Sequence, residues 1–121
     1  MTTYDLMIKV KEILEANGFE TESPKFANLP DFAHQARATK DGKSWYEVSS
    51  YGLNQLFGHQ ISFEVVYRHN STSENISVDI ILYEWKNSRG YTIAKERMNI
   101  NMSEKQILNR VNKIINQFNE I

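Results

Sequence analysis

The chain has 121 residues, 40% hydrophobic and 24% charged, with 14 basic against 15 acidic side chains and a net charge of −1. Such a composition is too apolar for a disordered segment, and the length suits one hydrophobic core and hence one domain spanning residues 1–121. The charge balance excludes a global field drawing the protein to nucleic acid or membrane, and the lack of cysteine excludes disulfides, thiolate zinc sites and thiol nucleophiles.

In chain order, Thr2 and Asp5 form a weak capping box, and Leu6, Met7, Val10, Ile13 and Leu14 recur as one apolar helical stripe. Asn17-Gly18 ends that helix, with Phe19 placed for the apolar contact that follows a glycine cap. Residues 20–30 contain two prolines and are expected to be a connecting loop. Phe32 to Thr39 reads as a small-residue strand. Lys40-Asp41-Gly42-Lys43 reads as the hairpin turn joining it to Trp45–Ser50, with Tyr46 and Val48 on one face and Trp45 and Glu47 on the other.

Gly52 to Gln60 is expected to be a loop or a short helical turn, with Leu53, Leu56 and Phe57 on its apolar underside. Ile61, Phe63, Val65 and Tyr67 then alternate with polar residues, the signature of a strand with one buried face. Asn70 to Asn75 is polar turn material. Ile76 to Lys86 is apolar on both faces and reads as a central strand, turned by Asn87-Ser88-Arg89-Gly90 into Tyr91–Ile100.

The last helix carries a full capping box in Ser103 and Gln106, a staple from Met102 to Ile107, and a stripe of Ile107, Leu108, Val111, Ile114, Ile115 and Phe118. The order is therefore αβββββα: an α+β two-layer sandwich whose antiparallel sheet of about five strands carries both helices on one face.

Residues 83–97 hold the most suggestive side chains. Tyr83, Trp85, Lys86, Arg89, Tyr91 and Arg97 are binding candidates, because aromatic and arginine side chains combine large contact area with directional polar groups. Glu84-Trp85-Lys86 spells the Glu-x-Lys of metal-dependent nucleases, which require a second carboxylate, for which Glu64 or Asp79 is placed. His34, His59 and His69 are the histidines that could ligate a metal, but their spacing matches no metal motif, and no cofactor is expected. No nucleophile elbow or phosphate-cradling glycine loop occurs, so no catalytic residue is assigned.

The N-terminus lacks the apolar run of a signal peptide, no stretch is long enough for a membrane span, and a cytoplasmic location is expected. The sequons at Asn70, Asn75 and Asn101 are accordingly read as chance. In size and style, a cysteine-free chain rich in asparagine, isoleucine and lysine looks like the small proteins of AT-rich Gram-positive bacteria and their phages. Many of these inhibit a larger host protein stoichiometrically, as anti-CRISPR factors do. The resemblance implies a non-enzymatic, anti-CRISPR-like inhibitor of a host defence protein. The alternatives are a single-stranded nucleic-acid-binding protein and a secretion-chaperone-like or immunity-type homodimer.

Overall fold

The structure, a computed structural model, describes residues 1–23, 35–66 and 76–121. Helix α1 (Thr3–Ala16) opens on the Thr2/Asp5 capping box. It closes with Gly18 at φ 87°, where the N–H of Gly18 donates to Glu15 and that of Phe19 donates to Leu14. These two bonds form a Schellman cap, and only a residue tolerating positive φ closes it cheaply. Strand β1 (Glu20–Thr21) follows at once, so the expected loop begins with two paired residues.

β2 (Gln35–Thr39), β3 (Ser44–Val48), β4 (Asn54–Val66), β5 (Ser77–Lys86) and β6 (Arg89–Met98) complete the sheet, and α2 (Glu104–Asn119) ends the chain. Every pairing is antiparallel, in the order β1-β2-β4-β5-β6, with β3 also on β4. The architecture is the α+β fold expected from the pattern. What is expected of residues 24–34, Tyr67 and 70–75 lies outside the described residues.

Two expectations between residues 40 and 60 are corrected. The Lys40–Lys43 turn forms, with the Lys43 N–H donating to the Lys40 carbonyl, but it does not pair β2 with β3. Both strands lie on the same edge of β4, β2 against its second half (Ala38↔Ile61) and β3 against its first (Ser44↔Gly58). They make one strand column interrupted by an excursion. Gly52–Gln60 is mostly strand rather than loop: β4 begins at Asn54, and the true hairpin joins β3 to β4 through residues 49–53. Gly58 suggested a break to sequence reasoning, yet it occupies a strand position at φ 95° where the excursion leaves no room for a side chain.

On the inner face, α1 and α2 cover Ala36, Ala38, Ile61, Phe63, Val65, Val78, Ile80, Leu82 and Met98. Leu6, Met7, Val10 and Leu14 meet them from α1, and Ile107, Val111, Ile114, Ile115 and Phe118 from α2. Leu108, expected in that stripe, is 42% exposed, because it falls at the margin of the face that turns to the sheet. Phe19 meets Phe118 edge-on, with centroids 4.9 Å apart, and the Lys40 ammonium sits 4.6 Å from the Phe19 ring. Glu96, on β6, holds α2 through Lys113 at 2.9 Å and Arg110 at 3.4 Å. No described residue of 40–58 or 83–91 belongs to this core, so the sheet runs on past its helices as a tip.

Candidate functional site

The six expected binding residues do not form one ribbon. Alternation along β5 and β6 sends Tyr83, Trp85 and Arg97 to the outer face, away from the helices. Lys86, Arg89 and Tyr91 go to the inner side of the tip. The pairing of Glu84 with Tyr91 puts Tyr91 on the face opposite Trp85, and a bulge between Leu82 and Tyr83, where Ile93 is the extra residue, returns Arg97 to the outer face. Trp85 is partly buried, while Tyr91 is 50% exposed. The turn between β5 and β6 is tighter than expected: Asn87 and Ser88 alone make it, at φ 51° and 63°. Ser88 also latches the turn to β4, its N–H donating to the Leu56 carbonyl and its Oγ accepting from the Leu56 N–H at 2.9 Å.

The Glu-x-Lys pattern does not assemble with a second carboxylate. Glu84 faces inward, where it takes Lys86 at 2.9 Å and His59 at 3.4 Å, whereas Glu64 and Asp79 pair with each other's strands on the outer face. The hydrogen bond from Lys86 holds the Glu84 carboxyl below its ordinary pKa and Lys86 above its own. Among the described residues no three histidine, aspartate or glutamate side chains converge as a metal site, and His34 and His69 lie outside those residues.

The outer face has a buried polar centre. Asp79 is 1% exposed and accepts from Arg97 Nε at 3.0 Å and Nη2 at 3.3 Å, with Lys95 at 3.5 Å. Glu64 lies opposite Asp79 in register; burial pushes its carboxyl pKa up, the Asp79 charge adds to this, and Lys95 opposes it. Burial also raises the Tyr83 phenol, with Glu64 contributing.

Two clefts open beside this centre. Between Ala38↔Ile61 and Ser44↔Gly58, five residues of the β2–β3 column face only His59 and Gln60, so the ladder parts there. One cleft of about 270 Å³ is lined by Gln35, Arg37, Gln60, Ser62, Tyr83, Trp85 and Gly90. A second of about 320 Å³, towards β1, shares Arg37 and Gln60.

Sequence reasoning missed the largest apolar exposure. Trp45 (48%), Tyr46 (64%), Val48 (69%), Tyr51 (90%) and Leu53 (64%) all lie on β3 and the loop that follows it. Trp45 stacks on Phe57 at 6.3 Å and donates its indole N–H to Glu47 at 3.1 Å. Tyr91 and Ile93 (47%) are exposed across the sheet on β6, three strand spacings or roughly 14 Å away. The signal was available in the stretch from Trp45 to Leu53, where apolar residues occupy both faces of a strand that carries Glu47 as its one charge.

Among the described residues no helix is long and apolar enough to cross a membrane. No family model, curated protein or solved structure matches the chain, so what it does must be argued from these surfaces alone.

Proposed function

We propose that this protein is a non-enzymatic protein-binding module whose contact surface is the β3–β4 hairpin at the tip of the sheet. One observation carries the reading: five large apolar side chains, 48 to 90% exposed, sit together on one edge hairpin beyond the core. Exposed apolar groups in such a cluster mark interaction surfaces. Three are aromatic, each able to bury about 150–250 Å², so with Val48 and Leu53 they approach the roughly 800 Å² that each partner of a standard interface covers.

The occupant is a separate folded protein. The charge on the hairpin supports this over nucleic acid, since Ser44 to Phe57 carries Glu47 and no lysine or arginine. β3 is also an edge strand in which neither proline nor lysine blocks strand addition. An inhibitor that works by occluding a site on a larger protein is one use of such a surface.

The test is capture with the wild-type chain and with a Tyr46→Ala/Tyr51→Ala/Leu53→Ala variant whose circular dichroism matches wild type. Wild type retains a partner at equal stoichiometry in the presence of chelator, and the variant loses it. If capture is unchanged by the triple substitution, or if the isolated chain doubles in mass and buries this hairpin on itself, the reading is wrong.

A further inference from the structure

The two bonds that bracket β3 fix the direction of every backbone group in it. At one end the Ser49 N–H donates to the Leu53 carbonyl at 2.8 Å, and at the other the His59 N–H donates to the Lys43 carbonyl at 2.7 Å. Hydrogen-bonded pairs alternate along an antiparallel ladder, so Trp45 and Glu47 also turn their N–H and C=O groups to β4, while those of Ser44, Tyr46 and Val48 point to the other side. No described strand pairs that side, and none of the three residues makes a backbone bond elsewhere among the described residues. β1 occupies the neighbouring column only as far as Glu20, opposite Thr39, and runs from there away from β3.

The far edge of the sheet is guarded and this one is not. β6 carries a bulge at Ile93 together with Lys95 and Arg97, devices that discourage strand addition, whereas β3 has no bulge, proline or lysine.

The side chains along β3 say what kind of strand fits beside it. Tyr46 and Val48, 64% and 69% exposed, stand on one face, and Trp45 and Glu47 on the other. Glu47 accepts from the Trp45 indole but has no ion pair among the described residues, and Glu20, at the end of β1, has none either. Lys40 and Lys43 are turned to the end of α2, where they bond to Asn119 and Ile121. Two carboxylates without counter-ions therefore border the open edge. A second copy paired through β3 cannot neutralise them, because Ser44 to Phe57 contains no lysine or arginine.

We propose that β3 accepts an extended segment of the partner protein as an added antiparallel strand, which alternates apolar residues against Tyr46 and Val48 with lysine or arginine against Glu47. This rests on the reading of the hairpin as a contact surface and specifies how it engages. Main-chain bonds to Ser44, Tyr46 and Val48 supply the attachment, and alternate side chains select the sequence. An opposite charge directly across from Glu47 favours binding roughly two- to fivefold.

The experiment titrates the full ¹⁵N-labelled chain with the end-capped peptide Thr-Val-Lys-Val-Lys-Val-Thr, with the same peptide N-methylated at its three valines, and with one carrying glutamate for lysine. The expected result is a saturable shift of the Ser44, Tyr46 and Val48 amides, with a Kd below about 5 mM and slowed hydrogen exchange at those amides. N-methylation, which removes the pairing donors but no side chain, weakens binding at least about tenfold. The glutamate peptide binds more weakly than the lysine one, and Glu47→Lys reverses that order. No saturable shift at the three amides, equal binding of the N-methylated peptide, an order unchanged in Glu47→Lys, or a dimer self-paired through β3 would overturn the proposal. Val48→Pro separates this mode from the contact surface itself, since it removes one outward N–H while keeping an apolar side chain. Loss of the captured partner in folded Val48→Pro but not in Val48→Ala supports strand addition. Capture that survives Val48→Pro, yet is lost in the Tyr46→Ala/Tyr51→Ala/Leu53→Ala variant, overturns strand addition and leaves the contact surface standing.

Discussion

Gly58 offers the sharpest test of the interrupted strand column. An alanine there would hold φ at 95° and set its Cβ 2.2 Å from the Lys43 carbonyl oxygen and 2.8 Å from the Ser44 Cα, both backbone atoms that cannot swing aside. The left-handed conformation costs about 1–2 kcal/mol and the overpacking a further 1–3, so Gly58→Ala should lose about 2–5 kcal/mol. With an unfolding entropy of about 2.1 cal/mol/K per residue, 121 residues give about 0.25 kcal/mol/K, and the loss lowers Tm by roughly 8–20 °C. Gly52→Ala is the control, because Gly52 has φ 79° but nothing within 4 Å of the added carbon. It should fall by only about 4–8 °C, the cost of conformation alone. Calorimetry on both variants decides the matter, and melting temperatures within about 2 °C of each other would falsify the packing of the excursion onto β4.

Four further outcomes follow from the same geometry. Val111→Asp places a charge at a residue 0% exposed under α2, a loss of more than about 4 kcal/mol that should abolish the cooperative melt. Asp79→Ala should cost about 2 kcal/mol by urea denaturation, less than the about 3–5 of a fully buried pair, since Arg97 and Lys95 keep contact with solvent. Glu64 binds its proton more tightly in the folded chain, so its contribution to stability falls as pH rises from its unfolded pKa through its raised folded one. Glu64→Gln should therefore flatten that part of the profile and raise the urea midpoint near neutral pH; an unchanged or steeper profile counts against the assignment. Ser88→Ala removes the side-chain acceptor of the Leu56 N–H, costing about 1 kcal/mol, and hydrogen exchange at Leu56 should quicken.

The elements legible in the sequence were those whose apolar period and end signals agree. Both capping boxes, the Asn17-Gly18 stop and the two-sided burial of β5 are local consequences of residues within a few positions of each other. What was not legible depended on which distant strand each segment met. Lys40-Asp41-Gly42-Lys43 is as good a turn in an excursion as in a hairpin, because a β-turn reports its own dihedrals and not the pairing of its flanks. Gly58 looks like a loop residue until the backbone passing over it is known.

The candidate contact residues show the same division. Exposure of Tyr91 is a property of its place beyond the helices; the two-residue turn sets it opposite Glu84 and so on the other face from Trp85, and one inserted residue, Ile93, sends Arg97 to the face opposite Tyr91. Parity across a bulge is invisible to pattern counting, since a single extra residue inverts every side chain after it.

The uneven reach of the helices along β4 bears on how the molecule opens. Ile61, Phe63 and Val65 are locked into the oily interior, while Asn54 to Gly58 are held chiefly by ladder bonds, one aromatic stack and the Ser88 hook. Local openings draw on the regions with least buried apolar contact, so amides of the first half should exchange through excursions that leave the second half intact. One continuous strand thus spans two stability regimes, a rigid handle and a pliant blade, and the blade can open without loosening the handle.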